Sequence, residues 1–374
     1  MEPTWLNPER FVLEERYMNN LPEVLRVNPD GVRHLCTEIF CAAGYPRENA
    51  EFVANSLVFA DIRGVSSHGV ARIKSYMERA QKEHWNADPQ LTYQEKGAIC
   101  LIDGDDGFGS IVGTRAMKKA VELAKVHGIG MCAVRRSAHY GMASYYPMLA
   151  AEEGMIGFSC TNGVSNLAPF GSREGMLGTN PFSMAVPVKD SFPLVLDVAC
   201  SVTARGNISN YKKEGKEIPQ GWAIDADGNP TTDPVKALAG AVLPFAGHKG
   251  SGIAIMVDVL CGVLNAGVTS KHVREDKTTG PNVGHTMIAI DVAAFEDPDE
   301  FDARVKAFAK ELKNAEKAPG FSEILLPGEL EAQRSGYNTV HGIKMGRGAF
   351  AELCETCREY GITEDPMQYI IGED

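Results

Sequence analysis

Between Ala98 and Gly163 the chain switches repeatedly between two hydrophobic periods, and few folds accommodate that. AICLI, Ala98 to Ile102, is a short apolar run that reads as a strand. The Asp-Gly and Gly-Phe-Gly cluster after it reads as a turn, and TRAMKKAVELAKVHG as an amphipathic helix closing at Gly128. GIGMCAVRRS is a second strand, MASYYPMLAAEEG a second helix and MIGFSCTNG a third strand. A β-α-β-α-β succession covers an apolar sheet with helices, so the expected class is α/β.

The flanks differ in character. NPDGVRHLCTEIFCAAGY sets Val32, Leu35, Ile39 and Phe40 on one helical face and stops at Gly44. PRENAEFVANSLVFADIRG reads as a second helix, and a third is expected to carry His68, so the first ninety residues are largely helical. Residues 1–24 have proline and charge but little periodicity, and read as an extension. Downstream, Pro169 to Pro187 reads as irregular, LVLDVACS as a strand, and Gly206 to Pro234 as loop and hairpin with Asp-Gly and Asn-Pro turns. HTMIAIDVAAF is a further strand, DPDEFDARVKAFAKELKNA a surface helix, EILLPGELE a loop, and the tail from Gly346 is helical.

Charge narrows the partners. A formal net charge of −12 argues against nucleic acid and anionic membranes, so an anionic ligand would need local capture by Arg, Lys or His. The first residues lack the basic start and apolar run of a signal peptide. Gly250 to Val268 is the most apolar stretch, but Asp258 and its glycines make it a buried helix rather than a membrane span. Nine cysteines, scattered singly apart from Cys354 and Cys357, suit reduced thiols in a cytoplasmic protein. No HExxH, HxH, GxSxG or Walker pattern occurs, and no metal site is expected.

Four stretches could carry chemistry. In DIRGVSSHGVARIKSY, His68, Arg72 and Tyr76 are four residues apart, which on a helix would place an imidazole, a guanidinium and a phenol on one face. Ser66 and Ser67 are candidate N-caps there. An ordinary solvated face is the plain alternative. His139 follows a strand and precedes a helix, with Tyr140 and Gly141 beside it, where α/β folds bind ligands. HKGSG, His248 to Gly252, opens an apolar helix with small residues and a Lys, a setting that suits phosphate. LPGE, Leu326 to Glu329, offers a carboxylate after a Pro-Gly turn. A fifth pattern is deceptive. Gly107, Gly109 and Gly113 approach a dinucleotide fingerprint, with Arg135 and Arg136 ending the next strand where a 2′-phosphate would bind. The spacing is GxGxxxG, however, and the acid expected after the second strand is missing.

Taken in order, DIRGVSSHGVAR, SAHYGMASYY, FGSREGMLGTNPFSMAVP, LDVACSVTARG, IPQGWAIDADGNPTTDP, PFAGHKGSG and LPGE resemble the malate/L-lactate dehydrogenase family over roughly residues 28 to 345. That family also includes ureidoglycolate dehydrogenase, 2,3-diketogulonate reductase, sulfolactate dehydrogenase and piperideine-carboxylate reductase. The resemblance implies a helical N-terminal part and a central mixed-sheet α/β domain with a non-Rossmann, sulfolactate-dehydrogenase-like cofactor site. Gly107 to Gly113 would then be a turn rather than a pyrophosphate cradle. The implied division is an extension at 1–24, a helical domain at 25–90, a cofactor domain at 91–330 and a C-terminal helical segment at 331–374 packing on the helical domain.

The resemblance further implies NAD, or alternatively NADP, as cofactor, a small anionic 2-oxo or 2-hydroxy acid as substrate, and a homodimer. His68 and His139 share the acid/base role, with His139 preferred. Arg72 and Tyr76 match substrate contacts. Asn162, Gly163, Thr179, Asn180, Pro181, Asp197, Val198, Ala199, His248, Lys249, Pro327, Gly328 and Glu329 match positions that line the cofactor. Two departures stand out: Arg205, Gly206 and Asn207 where relatives often have Gly-Lys, and Tyr140 where Phe is usual. The expected activity is that of a 2-hydroxyacid dehydrogenase. Reduction of a cyclic imine carboxylate is the alternative among enzymes, and a ligand-binding homologue without turnover the alternative outside them.

Overall fold

The computed structural model describes residues 21–273, 275–276 and 280–373, so most of the expected 1–24 extension lies outside the described residues. Strand β1 (Val24–Val27) leads into α1 (Pro29–Ala42). The Asn28 side chain caps that helix, accepting from the N–H groups of Asp30 and Gly31 at 2.9 and 3.0 Å, and Pro29 suits its first turn. Val32, Leu35, Ile39 and Phe40 are fully buried, as their spacing indicates. Helix α2 (Arg47–Ile62) follows, and α3 (Ile73–Lys82) begins only after a break discussed below.

Next come β2 (Thr92–Lys96), β3 (Ile99–Gly107), α4 (Gly109–His127), β4 (Ile129–Ser137), α5 (Tyr145–Glu152) and β5 (Met155–Thr161). The expected alternation is present, with two corrections. The exposed strand β2 is additional, and β3 runs on through the expected turn to Gly107. Asp105 and Asp106 adopt φ of 51° and 55°, and the register with β4 shifts there, so a bulge replaces the turn.

The chain continues with β6 (Phe182–Val186), β7 (Leu194–Val198), α6 (Arg205–Glu214), α7 (Pro234–Ala239), α8 (His248–Asp258), β8 (Val283–Asp291) and α9 (Pro298–Lys313). It ends with α10 (Glu329–His341), β9 (Ile343–Gly346), α11 (Arg347–Glu359) and β10 (Ile370–Glu373). Three readings need correction here. Strand β6 lies inside the stretch expected to be irregular. Helix α6 occupies part of the expected loop, and with Ile208 its only buried residue it shows no apolar stripe to detect. Helix α10 begins at Glu329, inside the expected LPGELE loop. The apolar helix from Gly250 is also only partly buried: Ile255, Met256, Val259 and Val263 are exposed, and Val259–Val263 widens into a π turn.

Two compact units result: the described residues up to Met77 with those from Gln333 onward, and Glu78–Ala332. The first contains a three-stranded sheet in the order β9-β1-β10. The second is built on a seven-stranded sheet in the order β2-β3-β4-β8-β5-β6-β7. Among the described strands of this sheet only β3 and β4 pair in parallel. Strand β8 lies antiparallel between β4 and β5, Met287 standing opposite both Cys132 and Ser159. That insertion makes the sheet mixed and excludes the doubly wound dinucleotide fold. Among the described residues no helix is long and apolar enough to cross a membrane.

Candidate active site

In the first unit the chain folds around Asp61, near the end of α2. Its carboxyl is buried, and Oδ2 accepts the N–H of Val70 at 2.7 Å. A Cβ on Gly69 would fall 2.0 Å from Asp61 Oδ1, so only glycine permits this approach. Gly69 is extended, and two 3₁₀ turns, Ser66–His68 and Val70–Arg72, replace the expected helix. His68, Arg72 and Tyr76 therefore do not occupy successive turns of one helix. Neither serine caps a helix through its side chain. Ser67 Oγ instead lies 3.0 Å from His68 Nδ1, and its carbonyl accepts from Arg72 Nε at 2.7 Å. Tyr76 is buried in α3.

Electrostatics separate these groups. Burial, with the Arg72 charge adding to it, lowers the His68 pKa to about 4, so the ring is neutral near pH 7. Burial raises the Asp61 carboxyl to about 7, opposed by the Val70 N–H. Sequence reasoning passed over Asp61. Its signal is an acid one helical turn before a Gly, with a second glycine eight positions on.

In the second unit His139 occupies the loop between β4 and α5. The N–H of Gly141 donates to His139 Nδ1 at 3.2 Å, so the neutral ring carries its proton on Nε2. Gly141 has φ 79°. The loop is tied down on several sides. The Ser144 N–H donates to Asp197 Oδ2 at 2.9 Å, Ser159 Oγ donates to the Ala143 carbonyl at 2.8 Å, and Tyr146 donates its hydroxyl to the Tyr140 carbonyl. A Cβ on Gly109 would lie 2.3 Å from the Ala138 carbonyl oxygen, so the start of α4 packs directly on the loop. Gly113 and Gly107 are likewise filled, by Tyr146 and Pro89. The GxGxxxG run is thus a strand-to-helix junction closed by protein, neither a phosphate cradle nor the expected turn.

The thirteen positions matched to a cofactor gather around β5, β6 and β7. Asn162 Oδ1 accepts from the Gly284 N–H at 2.8 Å, and its Nδ2 donates to Val268 at 2.9 Å. The Thr161 N–H donates to Pro181, and the Cys200 N–H to Thr179 at 2.7 Å, which brings Thr179, Asn180 and Pro181 beside Val198 and Ala199. A Cβ on Gly178 would lie 2.7 Å from the Gly163 carbonyl oxygen, and one on Gly250 lies 2.9 Å from that of Cys200. His248 and Lys249, exposed in the first turn of α8, therefore adjoin the same strand end. Pro327 accepts from the Val195 N–H at 2.9 Å, two residues before Asp197. Glu329 is engaged nearby: the Leu326 N–H at 2.9 Å and the Lys313 ammonium hold its carboxyl below the usual range.

Arg135 and Arg136 are spent on acids. Arg135 pairs with Asp103 at 3.2 Å, while Arg136 reaches Asp103 at 2.9 Å and Asp106 at 2.6 Å. A 2′-phosphate there would meet carboxylates, in keeping with the pattern being a deceptive one. Among the described residues no cluster of His, Cys, Asp and Glu could hold a metal. All nine cysteines are free thiols.

Comparison with known proteins agrees with this architecture. The sequence model of malate/L-lactate dehydrogenase matches residues 27–354. A malate dehydrogenase from Pyrococcus horikoshii is 40% identical over 363 residues, covering 95% of this chain and 99% of that protein. Its solved structure superposes with a TM-score of 0.85 at 38% identity, covering 92% of this chain and 98% of that one. An L-sulfolactate dehydrogenase from Methanocaldococcus jannaschii is 37% identical over 341 residues, 90% of this chain and 97% of its own. The structure of a delta1-piperideine-2-carboxylate reductase from Pseudomonas syringae gives a TM-score of 0.80 at 28% identity, covering 88% and 99%.

Proposed function

The chain belongs to the malate/L-lactate dehydrogenase family, an oxidoreductase family acting on CH–OH groups, and from that premise we propose that it interconverts a small anionic 2-oxo acid and its 2-hydroxy acid. The observation that carries the reading is the bond from Ser144 to Asp197. It joins the His139 loop to the strand around which the thirteen cofactor candidates collect.

A nicotinamide, when bound, supplies or accepts the hydride. Asn162, Gly163, Thr179 to Pro181, Asp197 to Ala199, His248, Lys249 and Pro327 to Glu329 would hold it. Two features support the fit. No atom lies within 4 Å of a Cβ on Gly163, so the chain leaves room there. Asn180 Oδ1, Ser144 Oγ and Ser201 Oγ are buried without a hydrogen-bond partner, polar atoms that a ligand rich in hydroxyl and amide groups would satisfy. NAD is the proposed cofactor, with NADP as the alternative.

His139 is the proton-transfer group: as imidazolium it donates to the oxygen that gains charge during reduction, and the neutral ring takes the proton back during oxidation. His68, whose pKa of about 4 is far from neutral, suits that task less well. Arg72 grips the carboxylate beside the reacting carbon with its planar fork, and Tyr76 lines that side. We further propose a homodimer in the cytoplasm, with the helical segment up to residue 90 supplying the substrate contacts.

The test is NADH and NADPH oxidation, followed at 340 nm in the presence of oxaloacetate, pyruvate, sulfopyruvate and a cyclic imine carboxylate. NADH should turn over with an open-chain 2-oxo acid, and Arg72→Lys should raise its KM at least about tenfold by removing the two-point grip. Turnover with the imine alone would favour the reductase reading suggested by the Pseudomonas structure. Cofactor binding without turnover would favour a non-catalytic homologue.

A further inference from the structure

The roles above leave one fully buried imidazole unused. His285, near the start of β8, is 0% exposed, and both its nitrogens are engaged. Nε2 lies 2.9 Å from Ser137 Oγ, and Nδ1 lies 2.8 Å from Thr161 Oγ1. Its ring stacks on Tyr140, centroids 4.7 Å apart and planes at 7°, and Tyr140 stacks in turn on Tyr146 at 4.6 Å. Ser137 and Tyr140 flank His139 in the chain. Thr161 immediately precedes Asn162 and Gly163, and its residue pairs directly with His285 across the β5–β8 ladder.

The hydrogen-bond inventory fixes the direction of the network. Thr161 has one hydroxyl hydrogen, which is directed to the carbonyls of Asn162 and Gly284 at 2.8 and 3.0 Å. It must therefore accept from Nδ1–H, which leaves Nε2 to accept from the Ser137 hydroxyl. A neutral imidazole is the one side chain of this size that offers a donor and an acceptor at opposite corners of a flat, stackable ring. Burial holds it neutral, its pKa lowered to about 3, so it exchanges no proton in the working range. A phenyl ring would fill the space as well and stack as well. The polar ring must serve the two hydroxyls.

We propose that His285 is a positioning residue that fixes the loop carrying His139 relative to the loop carrying Asn162 and Gly163. The inference rests on the reading of those two loops as the proton donor's and the cofactor's. It goes beyond that reading by dividing the two ring nitrogens between them: Nε2 serves the His139 loop through Ser137, and Nδ1 serves the cofactor loop through Thr161.

Amide substitutions separate the two. An asparagine amide reaches the position of Nδ1, and a glutamine amide that of Nε2. His285→Asn should keep NADH affinity within about twofold and lower kcat ten- to a hundredfold, the scale of a displaced reacting group. His285→Gln should retain most of kcat and weaken NADH binding, read by fluorescence titration. His285→Phe should lose both. Ser137→Ala leaves ring and stack in place and should lower kcat about tenfold with NADH affinity unchanged, which keeps the test open should the His285 variants fold poorly. If the folded variants, quantified by circular dichroism, differ only in melting temperature and share the parent's kinetic constants, His285 is a core residue and the proposal is overturned. Unchanged kcat in Ser137→Ala overturns it equally. His139→Asn is measured alongside: retained turnover there sinks the proton-donor reading itself, whereas an inactive His139→Asn beside a fully active Ser137→Ala sinks only the inference about His285.

Discussion

At the scale of single residues, buried titratable groups reveal most about this chain. Asp61 and His68 lie in the same short segment and move in opposite directions, because desolvation penalises whichever form carries charge. Asp61 titrates near 7 in the folded chain and near 3.8 in an unfolded one. A raised carboxyl contributes stability that is fully present below pH 3.8 and is lost as pH rises toward 7. Asp61→Asn keeps an acceptor for Val70 and removes the charge. Urea unfolding midpoints between pH 4 and 8 should show the variant gaining on the parent as pH rises, by up to about 4 kcal/mol at pH 8. A constant difference across that range would show that the carboxyl is not the titrating group. His68 contributes the opposite slope, losing stability as pH falls from 6.5 toward 4.

At the scale of elements, glycines mark where helices and loops approach and where they leave room. Gly109 lets α4 press on the loop after β4, and a Cβ there meets backbone rather than a movable side chain. Gly163 faces open space. The same substitution should therefore have unlike consequences. Gly109→Ala should destabilise by about 1–3 kcal/mol through overpacking and reduce turnover, because the His139 loop is what must move. Gly163→Ala should leave the melting temperature nearly unchanged and weaken NADH binding. Thermal melts and NADH titrations of both variants distinguish these outcomes, and equal destabilisation by the two would contradict the packing argument. The helix starts follow simpler rules: Asn28 and Asp297 cap α1 and α9 with a proline behind each.

At the scale of the whole molecule, the chain leaves one unit at Met77 and returns to it at Gln333, and the stretch between them forms the unit that holds His139 and every cofactor candidate. Arg72 and Tyr76 belong to the other unit. The proposed ligands should thus report on different stretches. In hydrogen exchange, NADH should protect the peptides spanning 160–200 and 245–250. A 2-oxo acid that is bound without cofactor should protect the peptide spanning 61–77 by itself. Protection of 61–77 by NADH in the absence of acid, with none at 160–200, would refute the assignment of roles.

Local pattern was enough for much of this. The alternation from Ala98 to Thr161 and the apolar face of α1 follow from nearest neighbours along the chain, and the ordered motifs single out the family and the candidate residues. Other features depended on strands distant in sequence. β8 inserts between β4 and β5, and no periodicity within 283–291 announces which strands will accept it. Helix α6 and strand β6 escaped notice because one buries a single residue and the other is held chiefly by its neighbours. The sharpest differences fell where a side chain meets something remote. Asp61 breaks the helix expected at His68, Asp103 and Asp106 pair with the arginines beside the deceptive glycine pattern, and His285 links two loops 124 and 148 residues away. Residue type and spacing decided what chemistry the chain could offer. Only tertiary contact decided which groups are buried, paired or poised, because charge, desolvation and close approach depend on neighbours that the linear order does not reveal.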